Sequence, residues 1–293
     1  MLSKSEISAL FKKLYQKIFD DDILGNAAQV AFYFSFALFP LLLFLMSVLG
    51  IVLNDKADLQ EQLFVLLSQV MPASAYELVE STLKEVTSNA SGGKLTFGIL
   101  LTLWSASAGV DNMRGTLNEI YDLKETRSWM KAKLTSVLLT LAIGVLLLLA
   151  LAFIVYGSQI LGDLLLIDSS SVLEPFEWAL TVALVLLAIA LIYNFAPNHN
   201  PFRWKWISPG AVIAVVLWIA ASGGFRLYLR YFDSYSATYG SLGAMIILLL
   251  WLYLTALVIL VGGAINAILD QKDRLNQGEP GPQSAESTEK SKQ

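Results

Sequence analysis

The feature that most constrains this chain is a series of long stretches without one charged side chain. Ala27 to Asn54, Leu134 to Gly162, Trp178 to Asn198, Trp206 to Phe225 and Ser234 to Leu269 contain no Asp, Glu, Lys or Arg, and Leu95 to Val110 is a shorter stretch of the same kind. A helix needs about 20 apolar residues to cross the hydrocarbon core of a bilayer. Hydrophobic residues make up 56% of the 293 residues and charged ones only 15%, where soluble proteins average about 25%. A soluble domain of this size could not hide so much apolar surface. The fold class read from the sequence is therefore an all-α integral membrane protein of about six transmembrane helices, with amphipathic interfacial helices beside them.

The spans are placed at about 28–53, 94–111, 134–161, 177–197, 207–229 and 241–269 within a membrane domain of residues 27–270. Only the second leaves a choice, because it is short enough to be a re-entrant or half-helix. Lys and Arg decide it, since cytoplasmic loops carry more of both. Lys4, Lys12, Lys13 and Lys17 precede the first window, while residues 54–93 hold only Lys56 and Lys84. Arg114, Lys124, Arg127, Lys131 and Lys133 follow the second window, and 163–177 has no cation. Arg203 and Lys205 lie before the fifth, Arg230 alone falls in 230–240, and Lys272 and Arg274 follow the last. Rich and poor connections alternate only if the second window crosses. That predicts six spans with both termini cytoplasmic. The apolar run after the N-terminal lysines is too long for a signal-peptide core, so the first span is expected to stay as an anchor.

The connections differ in character. Residues 1–26 hold Ile7, Leu10, Phe11, Leu14 and Ile18 at helical spacing with lysines opposite, which predicts an amphipathic helix on the inner leaflet. Residues 59–88 show two amphipathic stretches around Pro72, an external helical hairpin on or near the membrane. Residues 271–293, rich in Gly, Pro, Ser and charge, read as a disordered cytoplasmic tail.

Polar groups within spans are functional hypotheses by default, because hydrocarbon makes them costly. Asn26, Gln29 and Ser35 fall along one face at the start of the first span, either lining a cavity or bonding a neighbouring helix. Pro40 removes a backbone donor mid-span and is expected to kink the helix. Trp104, Ser105 and Ser107 precede Asp111 and Arg114, which are three apart and can pair on a helix. This region reads as a packing seam ending in an ion pair or as an inner gate. Arg226 lies near the outer end of the fifth span. It either snorkels to headgroups or binds an anionic headgroup with its fixed fork of donors. Tyr228, Tyr231, Tyr235 and Tyr239 cluster there, as interfacial tyrosines do. The polar entry from Ser234 to Gly243, with Ser241, is expected to line something. Asn266 completes the pathway candidates. His199, the single histidine, sits in a cytoplasmic loop and reads as solvated.

Several segments together carry a resemblance. They are Ala27-Ala28-Gln29-Val30-Ala31-Phe32-Tyr33 with Leu38-Phe39-Pro40-Leu41; Trp104-Ser105-Ala106-Ser107 with Leu117-Asn118-Glu119-Ile120-Tyr121; Tyr193-Asn194-Phe195-Ala196-Pro197-Asn198; and Tyr235 to Ala244 with Leu250-Trp251-Leu252-Tyr253 and Gly262-Gly263-Ala264-Ile265-Asn266. In this order, from about residue 10 to 270, the chain resembles the YihY/BrkB family of multi-spanning inner-membrane proteins, historically labelled ribonuclease BN. The resemblance implies a bacterial inner-membrane location and relatives linked to envelope integrity and lipid movement. Members often have a basic residue where Ala108 stands and a Glu where Ala264 stands, which puts any role needing those charges in doubt here.

The chemistry of the residues speaks against a nuclease. RNA hydrolysis needs converging acids, histidines or metal ligands and a basic track; here the acids are scattered and His199 has no second histidine. The absence of cysteine removes thiol and Cys–metal chemistry, and no nucleotide-binding loop occurs. No catalytic residue, metal or cofactor is expected, and nucleic acid is not an expected partner. Membrane lipids are. Three functions stay open: movement or accommodation of lipid or a lipid-linked envelope substrate, a non-catalytic envelope scaffold, and, least supported, an intramembrane enzyme. The small residues Gly223, Gly224, Gly262 and Gly263 permit close packing within one chain or between copies, so a homo-oligomer is also open.

Overall fold

A computed structural model describes residues 4–52, 92–165, 170–199, 202, 204–231 and 241–276. Among them every regular element is an α-helix: α1 Lys4–Asp20, α2 Ile23–Val52, α3 Gly92–Ile120, α4 Trp129–Leu165, α5 Ser170–Phe195, α6 Pro209–Tyr231 and α7 Ser241–Asn276. The expected hairpin at 59–88, Tyr235, Tyr239 and the tail beyond Asn276 lie outside the described residues.

Four stretches among the described residues are long and apolar enough to cross a bilayer: Trp129–Ala150, Pro175–Phe195, Pro209–Leu229 and Met245–Leu275. Residues 28–52 of the first window and 94–111 of the second also each lie within a single helix. The 30-residue α2 continues through Pro40, and the 29-residue α3 runs unbroken through 94–111, where a half-helix was the alternative. At 1.5 Å per residue each is about 45 Å long. Residues 271–276, expected to begin the tail, instead form the last turns of α7. The good helix formers Gln271, Lys272 and Arg274 extend the helix with polar side chains.

The chain divides into two compact units, Met1–Ser35 with Gly109–Gln293, and Phe36–Ala108. In the first, α4 packs on α5, α6 on α7, α5 on α6, and α1 rests on α7. Its core follows helical spacing: Ile23, Ala27 and Val30 on α2; Val110, Met113, Leu117 and Ile120 on α3; Ala256, Ile259, Leu260 and Ala264 on α7. The outward faces are as apolar as the core. Leu134, Leu138, Val145, Phe176, Val216, Ile219 and Met245 are all exposed. No water-soluble protein tolerates so much contiguous exposed hydrocarbon, so these faces are solvated by lipid. Trp129 and Trp206, both exposed, flank the helices at one end, as interfacial tryptophans do.

Local signals start and stop the helices. Asp22, in the left-handed region with φ 46°, turns the chain between α1 and α2, and its Oδ1 accepts from the Gly25 N–H at 3.3 Å. Ser208 caps α6, accepting from the Ala211 N–H at 3.2 Å, with Pro209 at the first helical position. At the end of α3 the Asp122 N–H bonds Glu119 O at 3.0 Å and the Leu123 N–H bonds Asn118 O at 2.8 Å. Asp122 takes the left-handed position, φ 54°, which glycine usually fills.

Helices α6 and α7 approach closely at Gly210 and Gly262. A Cβ on Gly262 would collide with the Tyr193 hydroxyl, the Gly210 carbonyl and Ala214 Cβ. Gly223, farther along α6, has no neighbour within 4 Å among the described residues. Gly262→Ala is therefore expected to destabilise by about 1–3 kcal/mol through overpacking. Gly223→Ala is expected to gain up to about 1 kcal/mol of helix propensity. Thermal unfolding of the two variants in detergent should move in opposite directions.

Candidate functional site

Polar side chains gather where α3 ends, α4 and α6 begin and α5 and α7 finish. The expected Asp111–Arg114 pair is present, with Arg114 Nη2 3.0 Å from Asp111 Oδ1. It is one link in a longer chain of alternating charge. Lys133 Nζ lies 3.7 Å from Asp111 Oδ2, and the Ser136 hydroxyl donates to Asp111 Oδ1 at 2.9 Å. Arg114 also grips Glu125, which in turn accepts from Arg127 Nε and Nη2, both at 2.8 Å.

Arg127 then reaches across to α5. Its Nη2 donates to the Ala196 carbonyl at 2.8 Å and its Nη1 to the Phe195 carbonyl at 3.2 Å. Those carbonyls would otherwise be orphaned at the helix end. Burial pushes the Glu125 carboxyl upward, but the hydrogen bonds and charge of Arg127, with the charge of Arg114, outweigh it and hold the group at about 2.

Asparagines complete the junction. Asn118 Oδ1 accepts from the Asn198 N–H at 2.7 Å, and Asn198 Nδ2 donates to Lys124 O and Thr126 Oγ1, each at 2.8 Å. Asn194 bonds both the N–H and the carbonyl of Lys205, at 2.8 and 2.9 Å. Asn266, buried on α7, donates to Ser208 Oγ and accepts from the Gly210 N–H, each at 2.8 Å. It clamps the start of α6.

An open pocket of about 60 Å³ lies beside this junction, lined by Lys17 of α1, Tyr121 and Asp122 after α3, His199, and Asp270 and Arg274 of α7. That volume is well above the about 10–15 Å³ that a single water needs. Lys17 pairs with Asp21 at 2.8 Å and stands 3.6 Å from Asp122, and Lys205 pairs with Asp270. His199 is not the solvated residue expected of a loop. Its ring meets Tyr121 edge-on, centroids 5.0 Å apart. Burial lowers its pKa, only partly opposed by the Asp270 charge and a hydrogen bond to the Tyr193 backbone. Burial, reinforced by Asp270, raises the Tyr121 phenol well above its ordinary value. The α5–α6 connection folds back over the end of α3, which a loop composition does not reveal.

The other candidates stand apart from this junction. Asn26 donates to the Asp21 carbonyl at 2.9 Å, Gln29 is exposed, and the buried Ser35 hydroxyl bonds Phe32 O at 2.7 Å. They do not form one lining: the first closes the α1–α2 turn and the last bonds its own helix. Pro40, Trp104, Ser105 and Ser107 belong to the second unit. There, Ser105 and Ser107 bond back to Leu101 O at 2.9 Å and Trp104 O at 2.6 Å. Arg226 and Tyr228 are both exposed near the end of α6, where Tyr228 stacks on Phe225. Ser241 begins α7. Two polar atoms not singled out in the sequence, Glu177 Oε1 and Thr181 Oγ1, are buried without a partner near the start of α5. Their spacing of four was a legible sign. Among the described residues no three His, Asp or Glu side chains converge as a metal site would.

The model of the family described as virulence factor BrkB matches residues 14–288. A putative ribonuclease-like protein, YfkH, of Bacillus subtilis is 34% identical over 281 residues, covering 93% of this chain and 99% of the relative. UPF0761 membrane proteins of Tolumonas auensis and Vibrio vulnificus are 27% and 26% identical, each covering 92% of this chain and 87% and 85% of the relative. No solved structure matches the chain.

The Glu125 shift sets a pH dependence. Its carboxyl titrates at about 2 when folded against an ordinary 4.5, so the unfolded chain binds the proton more readily. The stabilisation is fully present above pH 4.5 and lost as pH falls toward about 2. Glu125→Gln should flatten the acid limb of the stability curve in that window, measured by thermal unfolding at stepped pH.

Proposed function

We propose that this chain, which belongs to the virulence factor BrkB family, is a multi-pass protein of the bacterial inner membrane that moves or accommodates lipid or a lipid-linked envelope substrate. One observation carries the reading. Only 11% of the apolar stretch of α6 is buried, a Cβ on Gly223 or Gly224 would meet nothing within 4 Å among the described residues, and the exposed Arg226 follows within one turn. A notch in a lipid-facing helix accepts an acyl chain, and a guanidinium beside it suits the phosphate that such a chain carries. In this reading both termini are cytoplasmic. The end with Lys17, Arg127, Lys205 and Arg274 then faces the cytoplasm, as the positive-inside rule favours.

No chemical step is assigned to the chain; the ribonuclease-like wording is that of the Bacillus subtilis relative. A non-catalytic envelope scaffold is the second reading. The same notch favours it, because small residues also let a partner helix approach.

Reconstituted vesicles carrying a labelled phospholipid separate the two. Wild type should speed lipid exchange between leaflets. Arg226→Ala should slow it about tenfold, the worth of a lost charge-assisted phosphate contact. Gly223→Leu, which fills the notch, should slow it similarly without lowering the melting temperature. Equal rates in wild type, variants and empty vesicles would reject transport and leave the scaffold.

A further inference from the structure

The pocket at the opposite end of α6 has a chemistry of its own. Pro209, where α6 begins, and Arg226 are separated by about 26 Å of helix axis. The pocket therefore stands independently of whether Arg226 handles lipid. Its lining carries two cations and two carboxylates, and their pairings decide what remains for a ligand. Asp270 is held by Lys205, and Asp122 shares Lys17 with Asp21. Arg274 forms no ion pair among the described residues, although it lines the pocket within electrostatic reach of His199. One hydrogen bond of His199 is taken by the Tyr193 backbone. A neutral imidazole has two nitrogens, so one is left for an occupant.

We propose that this pocket binds a phosphate-bearing anion, the headgroup of a phospholipid or a soluble phosphate ester, with Arg274 as the principal ligand and His199 beside it. The guanidinium offers planar paired donors that match two phosphate oxygens. Lys17, on the amphipathic α1, brings a second cation to the rim, where an anion would draw it from Asp122 at 3.6 Å. The polar, charged lining suits a phosphate group rather than acyl chains, so a lipid would enter by its headgroup.

His199 is the single histidine of the chain, so its ring signal reports the pocket without assignment. The experiment uses the full chain with labelled histidine in maltoside micelles and phosphate-free buffer. Inorganic phosphate, glycerol 3-phosphate and dihexanoylphosphatidylglycerol are titrated, with dihexanoylglycerol as the phosphate-free control. A saturable shift of the His199 signal is expected, with its titration midpoint moving up because a nearby anion favours imidazolium. A response to inorganic phosphate or glycerol 3-phosphate identifies a soluble anion, and a response to the phospholipid alone identifies a headgroup. Arg274→Gln should weaken binding about tenfold or more, while Arg274→Lys keeps the shift at lower affinity. Lys12→Gln, exposed on α1, should bind as wild type. No saturable shift with any phosphate probe, a midpoint that moves down, or unchanged affinity in Arg274→Gln would overturn the proposal.

Discussion

The polar end of the bundle depends on the Arg127 guanidinium, which satisfies helix-end carbonyls and a carboxylate at once. On one side it caps α5 through Phe195 and Ala196; on the other it holds Glu125. Glu125 leads to Arg114, Arg114 to Asp111, and Asp111 to Ser136 and Lys133 on α4. One continuous line of alternating charge thus joins α3, α4 and α5. Surface ion pairs are worth little singly; in this line Lys133 and Arg114 are the enclosed members, at 9% and 14% exposed, whereas Asp111 and Glu125 are partly open to solvent, at 30% and 29%. Loss of Asp111 is therefore costly, because it would take a carboxylate from both enclosed cations, Lys133 and Arg114.

The membrane character and the helical class were legible because lipid imposes a rule that a sequence can state: no charge for about 20 residues. The Asp111–Arg114 pair was legible because three-residue spacing fixes neighbours on a helix. What stayed hidden depends on loops returning to distant helices. Glu125 and Arg127 are adjacent in a short connection, yet the groups that give them meaning are Arg114 and the end of α5. Asn118, Asn194 and Asn198 were visible only as parts of recurring motifs. Asn118 and Asn198 join the α3–α4 and α5–α6 connections and Asn194 braces the latter, which is a property of tertiary contact. His199 was misjudged for the same reason, since its neighbour Tyr121 is far off in sequence.

Helix α6 behaves differently at its two ends. Near Pro209 it is fixed to α7 by Asn266 and by glycines that have no room for a side chain. Midway, the Trp218 indole still bonds Thr255 at 3.2 Å. Beyond it, Gly223 and Gly224 face no side chain or backbone among the described residues. Glycine in a helix interior weakens it by about 1 kcal/mol when packing gives nothing back. Gly210 and Gly262 recover that through close approach. Gly223 and Gly224 meet no such partner among the described residues.

One of the two departures from the resembling proteins, Ala264, bears on how charge is placed along α7. Ala264 is fully buried on α7, next to the glycines that contact Tyr193 and Leu117. A Glu at that position would be enclosed by the core and would need a cation or a proton to be tolerated. No such partner is required here, and Tyr193 instead donates its hydroxyl to the Ile259 carbonyl at 2.6 Å. A buried carboxylate at position 264 is thus absent from this chain. The Asp, Glu, Lys and Arg side chains of α7 all lie at Asp270 and beyond, at the pocket. Before Asp270 the helix therefore holds no fixed charge, and its tie to α6 rests on the Gly210–Gly262 contact and the Asn266 clamp instead.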